Sequence, residues 1–308
     1  MLLVSTIRPA TPPSPAGAQT FPWSAIAFAV VLNALWGANV PAVKVALVAV
    51  PPLWMGFWRF LLGALCIAAW SLLNGIRMRP PREEWGALAL LGVLFTVQIG
   101  LMNVGIRFTT GAMASILIAT NPLWAALFAH LFVSGDRLNR MRGAGMVLAF
   151  AGICAIFLRD AGAFTGQGST WGNGICLASA SLLGGRLIFS ARLLQRIEST
   201  RVVMWQMIVS LPCFALAGWF TEQVAWERLD WQPLASIAYQ GIVVAGFNFM
   251  GLAYLLRRYP ASVVTGFNFL APVFGVLLSI GLLAESISWQ VGVGLAAVGV
   301  GLALIARR

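Results

Sequence analysis

The residues in this chain that could do chemistry are few, and they suit binding better than bond-making. Arg186 stands alone among apolar neighbours in SLLGGRLIFS. A guanidinium grips a carboxylate by two parallel hydrogen bonds, so Arg186 reads as a contact for the acid group of an amino acid or another anion. Its structural reading is an arginine that snorkels to the nearer membrane surface or pairs with helix-end carbonyls, about 12 Å from the end of its run at 1.5 Å per residue. Amides recur in the middle of other apolar runs: Asn33, Asn39, Gln98, Asn103, Asn121, Asn248 and Asn268. Each would cost free energy against lipid, so each should face protein or a water-filled cavity. Trp36, Trp124 and Trp205 also lie deep in apolar runs, where the ring packs against a substrate or fills space between helices. Tyr239 and Tyr254 add hydroxyls in one run.

What is missing is as informative. The nine acids are Glu83, Glu84, Asp136, Asp160, Glu198, Glu222, Glu227, Asp230 and Glu285, and none falls at the centre of an apolar run. His130 is the only histidine. It serves interfacial packing or, alternatively, a proton relay. Cys66, Cys154, Cys176 and Cys213 have no metal-ligand spacing. An intramembrane enzyme needs a nucleophile, an acid-base pair or a metal cluster within mutual reach, and these residues do not supply one. No enzyme activity, cofactor or metal is expected. Without a buried carboxylate to carry protons, the reading leans to movement of a substrate down its own gradient.

The elements that position these residues follow from composition. Of 308 residues 60% are hydrophobic and 9% charged, where a soluble domain carries roughly 25% charged residues. The chain is therefore read as an all-α integral membrane protein. The net charge of +11 lies in short connections between apolar runs, which argues for a topology signal and against a nucleic-acid partner. Residues 1–20, rich in Pro, Ser, Thr and Ala, are read as a mobile cytoplasmic tail. Ten apolar runs follow, at about 23–47, 53–73, 85–106, 111–132, 142–158, 172–194, 202–220, 233–256, 261–283 and 288–306. Most approach the roughly 20 residues needed to cross the hydrocarbon layer. Counted by side, fourteen Lys and Arg fall on the face that holds both termini and four on the other. The positive-inside rule then puts both termini in the cytoplasm. Arg59 and Arg186 lie within runs. Arg59 is read as structural, and Lys44, at the end of the first run, as a gate or an interfacial anchor. Trp23, Trp54, Trp85, Trp171, Trp219, Trp231 and Trp289 lie near helix ends, as in any interfacial belt.

The runs repeat. Residues 111–132 hold Asn121-Pro122 at their middle, and residues 261–282 hold Ala271-Pro272 at the equivalent point, 150 residues on. Gly143, Gly145 and Gly152 match Gly292, Gly294 and Gly301 at a spacing of 149, Asp136 likewise matches Glu285, and Lys44 faces Arg192 at 148. Two five-helix units are expected, 21–160 and 161–308. An odd number of crossings would make them a 5+5 inverted repeat, with Pro122 and Pro272 breaking corresponding helices. In the ninth run Ala261, Thr265, Asn268, Pro272, Gly275 and Ser279 form one small and polar stripe, for close packing or for cavity lining.

Ten helices in this arrangement, with Trp36-Gly37 and Lys44 ending the first, Asn121-Pro122 in the fourth and an acid before Gly-x-Gly closing each half, resemble the drug/metabolite transporter superfamily. The resemblance covers nearly the whole chain after residue 20. It is nearest to EamA-type exporters, and among them to amino-acid exporters of the YddG type. It implies alternating-access efflux of small metabolites, aromatic and other neutral amino acids favoured, across the bacterial inner membrane. The partners so implied are a small-molecule substrate and the lipid bilayer, in a monomer or homodimer. A drug or nucleotide-sugar carrier of the same superfamily is the alternative.

Overall fold

The structure, a computed structural model, describes residues 22–132, 140–159, 169–258, 267, 270–284 and 289–306. Residues 1–20, Asp136, Glu285, Asn268 and the start of the ninth run, with Ala261 and Thr265, lie outside them. All regular structure among the described residues is helical. In order these are α1 (Trp23–Gly37), α2 (Asn39–Ala46), α3 (Pro52–Leu73), α4 (Trp85–Phe108), α5 (Gly111–Ile118), α6 (Asn121–Phe132), α7 (Arg140–Arg159), α8 (Thr170–Leu194) and α9 (Ser199–Thr221). There follow α10 (Trp231–Ala238), a π-helical stretch (Tyr239–Asn248), α11 (Phe249–Arg258), α12 (Leu270–Leu283) and α13 (Trp289–Ala306).

Among the described residues seven stretches are long and apolar enough to cross a bilayer: 23–46, 52–73, 82–108, 111–128, 170–194, 199–221 and 231–252. Leu270–Leu283 and Gly292–Gly301 are apolar but shorter. Trp23, Leu72, Leu73, Trp219 and Phe220 are each 75% or more exposed, an outer surface that suits lipid and not water.

Three predicted helices depart from a regular α-helix. The first bends at Ala38, whose N–H still reaches Ala34 and Trp36. Pro41 then sits in the first turn of α2, where its missing donor is tolerated. The fourth is cut at Ala119-Thr120, where the Thr120 hydroxyl donates to the Leu117 carbonyl at 2.6 Å. Pro122 cannot bond the Ile118 carbonyl four residues back. The Asn121 side-chain amide does so instead, at 3.0 Å. The dipeptide thus carries both the break and its remedy. The eighth is wound as a π-helix over ten residues, which adds a residue per turn without ending the segment.

The packing recurs when the two halves are exchanged. Helices α5 and α6 lie on α8 as α12 lies on α1 and α2; α4 lies on α9 as the π-helix lies on α3; α7 pairs with α13. Glycines fix the register. A Cβ on Gly37 would stand 2.6 Å from the Ala271 oxygen and the Phe274 Cβ, and one on Gly184 2.8 Å from the Asn121 oxygen and 2.7 Å from the Trp124 Cβ. The pairs are 147 residues apart in α1 and α8, one fewer than Lys44 and Arg192 suggested, and 150 apart in the proline helices, as read from sequence. Gly152 against Gly294 and Gly301 against Gly145 repeat the 149 spacing of α7 and α13. Gly92 abuts Val209 as Gly241 abuts Leu62, again 149 apart.

Each end of α9 is tied by a carboxylate. At one end Glu222, just after α9, accepts from the Leu53 N–H at 2.9 Å and the Trp54 N–H at 3.1 Å, at the start of α3. Partial burial pushes its carboxyl above the usual 4.5, outweighing those two bonds and the Arg107 charge, which pull it down. At the other end Glu84 accepts from Arg201 at 2.7 Å, and the Trp205 indole donates to the Met78 carbonyl at 2.8 Å.

Candidate functional site

The deepest polar groups sit where α1, α3, α4, α8, α9 and the π-helix meet. Phe60 of α3 lies there with Phe95 of α4 at 4.6 Å and Phe214 of α9 at 6.0 Å between ring centroids, all three fully buried. A guanidinium lies against each of two of these rings, Phe95 and Phe60. Arg186 of α8 lies 4.9 Å from the Phe95 ring centre and donates to the Gln206 side-chain oxygen of α9 at 2.9 Å. Arg59 of α3 lies 5.1 Å from the Phe60 ring centre, with the Tyr239 hydroxyl as its electrostatic neighbour. Only 9% of Arg186 and 3% of Arg59 is exposed. Neither has a carboxylate partner among the described residues, and Nε of Arg186 and both Nε and Nη1 of Arg59 are without a hydrogen-bond acceptor there. Arg186 is thus enclosed between α4 and α9, not extended to a surface.

A charge so placed is costly: an uncompensated buried ion costs several kcal/mol in a protein interior, and positions near mid-membrane are no cheaper. An aromatic face recovers part of that, about 2 kcal/mol at best. The remaining donors are suited to an anion.

Buried acceptors recur in a two-fold pattern. Gln98 of α4 donates to the Ser179 hydroxyl of α8 at 3.1 Å, and Ser179 returns a bond to the Gln98 backbone carbonyl at 2.8 Å. On exchange of halves the same place is taken by Asn248 of the π-helix, which donates to the Leu32 carbonyl of α1 at 2.9 Å. Both amides are buried, and both leave a side-chain oxygen with no donor among the described residues. The pair is 150 residues apart where Gly92 and Gly241 are 149 apart; the extra residue lies within the π-helical stretch. Asn39, at the head of α2, is buried with its Oδ1 unpartnered, and Asn103 donates to the Pro52 carbonyl at 3.0 Å with its own oxygen free. These oxygens are suited to an N–H donor such as an ammonium group.

The other sequence candidates fall into three places. Trp36 packs edge-on against Phe249 at 5.5 Å beside the α1/α2 break, where the Tyr239 hydroxyl donates to the Leu35 carbonyl at 2.5 Å. Trp124 lies on α6 by Phe128, one turn from Asn121 and Pro122. Trp205 is drawn to the Glu84 end, held by Met78 and packed on Trp85 at 4.6 Å. Lys44 is half-buried in the last turn of α2, and Pro272 lies in the first turn of α12. His130 lies in the last turn of α6 and is exposed.

Sequence reasoning missed Gln206, Gln240 and Ser179. Gln206 and Gln240 lie within a turn or two of their segment starts, so they read as interfacial; Ser179 is small enough to pass as packing. The signal was the register: Gln206 is the eighth residue of α9 and Arg59 the eighth of α3.

Comparison with known proteins places these features. The model of the EamA-like transporter family matches twice, over residues 23–158 and 170–307. The uncharacterised transporter YvbV of Bacillus subtilis is 25% identical over 274 residues, covering 88% of this chain and 86% of its own length. The uncharacterised inner membrane transporter YedA of Escherichia coli K12 is 26% identical over 266 residues, 83% of this chain and 82% of its own. A solved crystal structure superposes with a TM-score of 0.65 at 21% identity, over 91% of this chain and 97% of that one, which speaks for the fold.

Proposed function

This chain belongs to the EamA-like transporter family, a multi-pass membrane protein, and within that family we propose that it exports small carboxylate-bearing metabolites, amino acids with neutral and aromatic side chains foremost, by alternating access. The observation that carries the reading is Arg186: a buried guanidinium, braced by Gln206 and Phe95, with no acid among the described residues to neutralise it. A substrate carboxylate supplies that partner, the unpaired oxygens of Gln98, Asn248 and Asn39 suit an ammonium group, and the rings of Trp36 and Trp124 suit an apolar side chain.

The same reading gives the mechanism. The halves form a 5+5 inverted repeat of ten membrane helices, supported by packing that recurs on their exchange, and rocking about the breaks at Ala38 and Ala119-Thr120 opens one side and then the other. The distribution of Lys and Arg supports cytoplasmic termini, and the printed name of YedA supports the bacterial inner membrane. Movement is uniport-like, because no carboxylate among the described residues accompanies the buried arginines.

The test is counterflow into liposomes holding the purified protein, with labelled phenylalanine, threonine, glutamate and a nucleotide sugar, with and without a pH gradient. Exchange of the amino acids that ignores the gradient, and falls at least tenfold in Arg186→Ala, is the expected result. Exchange of the nucleotide sugar alone points to that carrier class, and uptake only under a proton gradient overturns the uniport mechanism.

A further inference from the structure

Arg59 is left unused by the reading above. Its sequence context, near the start of an apolar helix, suggested a structural residue. The structure gives it no structural partner: 3% exposed, Nε and Nη1 without an acceptor, no carboxylate among the described residues, and Phe60 and Tyr239 as its neighbours. The Tyr239 hydroxyl donates its own proton to the Leu35 carbonyl, so it stands near Arg59 as a neutral oxygen and not as a counter-charge. A ring face and a phenol do not discharge a guanidinium enclosed in protein.

Its placement is equally informative. Arg59 and Gln206 are both the eighth residues of helices that exchange under the internal two-fold. In one half that position holds Gln206, which accepts from Arg186; in the other it holds a cation with nothing to bind. The two guanidiniums stand against different rings of the Phe60–Phe95 pair, Arg186 on Phe95 and Arg59 on Phe60, and they have different neighbours: Gln206 of α9 for Arg186, and Tyr239 of the π-helix for Arg59.

We propose that Arg59 is a second anion site, which takes the carboxylate of the transported metabolite beside the Phe60 ring, as Arg186 takes it beside the Phe95 ring. The inference deepens the exporter reading and rests on it for the identity of the metabolite. One carboxylate meets Arg186 in one state and Arg59 in the other, and the aromatic pair is the step between them. Tyr239 joins this site to the helix break, because its hydroxyl holds the Leu35 carbonyl three residues before Ala38.

The experiment measures the thermal midpoint of the purified full chain in detergent, titrated with sodium phenylacetate or sodium chloride at constant ionic strength. The proteins are wild type, Arg186→Gln, Arg59→Gln, Arg59→Lys and the double glutamine variant. Phenylacetate should raise the midpoint of wild type and of both single glutamine variants, with a half-maximal concentration at least threefold higher in each single variant, and should have no effect on the double. Arg59→Lys keeps the charge without the fork and should fall between wild type and Arg59→Gln; it carries the test if Arg59→Gln does not fold. A response of Arg59→Gln or Arg59→Lys equal to wild type overturns the proposal, as does loss of the whole response in Arg186→Gln. Equal stabilisation by chloride, lost with Arg59, overturns the carboxylate assignment in favour of an inorganic ion. Counterflow separates the two claims: a wild type that binds phenylacetate through Arg59 but exchanges no amino acid refutes the exporter reading and leaves the anion site standing.

Discussion

Substituting Gly184 by Ala tests the crossing on which the broken fourth helix rests. A Cβ there would stand 2.7 Å from the Ala125 nitrogen and the Trp124 Cβ and 2.8 Å from the Asn121 oxygen, where ordinary contacts are 3.4–4 Å. Two of those atoms are backbone and the third a Cβ, so no side-chain rotation relieves the clash. Helices α6 and α8 must move apart, and overpacking of this kind costs about 1–3 kcal/mol, the upper end applying to three simultaneous contacts. Alanine also gains about 1 kcal/mol over glycine in a helix interior, which offsets part of the loss. Gly174 on the same helix has nothing within 4 Å of its Cβ and shares that gain. The difference between Gly184→Ala and Gly174→Ala therefore isolates the clash, at about 3 kcal/mol. Equilibrium unfolding in mixed detergent, by titration with a denaturing detergent, reads that difference. A gap under about 1 kcal/mol would show that the helices meet less closely, and the register built on Gly37 and Gly184 would fail with it.

Two further outcomes are expected. Asn121→Leu strands the Ile118 carbonyl and should lower stability by about 1–3 kcal/mol, whereas Asn121→Leu with Pro122→Ala restores a backbone donor and should recover most of the loss; equal loss in both variants refutes the side-chain remedy. Glu222 gives a pH dependence. Its carboxyl is held above 4.5 by burial, so the folded state favours the protonated form; that stability is full below 4.5 and is lost as pH rises through the raised value. Glu222→Gln keeps an acceptor for Leu53 and Trp54 and cannot ionise, so its melting temperature should match wild type near pH 4 and exceed it increasingly above 4.5. A variant that falls behind at neutral pH means that the charge holds the clamp.

Among the described residues the apolar runs made the helices legible to within about three residues at their ends, because a bilayer demands both the length and the hydrophobicity that mark them. The proline in Asn121-Pro122 marked the fourth break, since a lost donor is visible in sequence. The bend at Ala38 was not legible: Gly37 and Pro41 are each tolerated in an apolar helix, and only the approach of Ala271 and Phe274 shows why the chain turns there. The π-helix was hidden for a different reason, since an added residue in a uniformly apolar run changes no hydropathy. It does shift the repeat spacing from 149 at Gly241 to 150 at Asn248. Arg186 stood out as a charge among leucines, but its partner Gln206 did not, because hydrogen bonds between distant segments leave no local pattern.

The π-helical insertion has a consequence for energetics. A carrier whose two halves were interchangeable would have two degenerate end states, each the image of the other, and no intrinsic resting side. Here one half is a residue longer at the very helix that faces Arg59, and the position that holds Gln206 in its twin holds a cation. Under the alternating-access mechanism proposed above, that defect lifts the degeneracy, and a gap of even about 1.4 kcal/mol sets a tenfold preference between the states. The bias of this molecule at rest is thus written in the places where its symmetry fails.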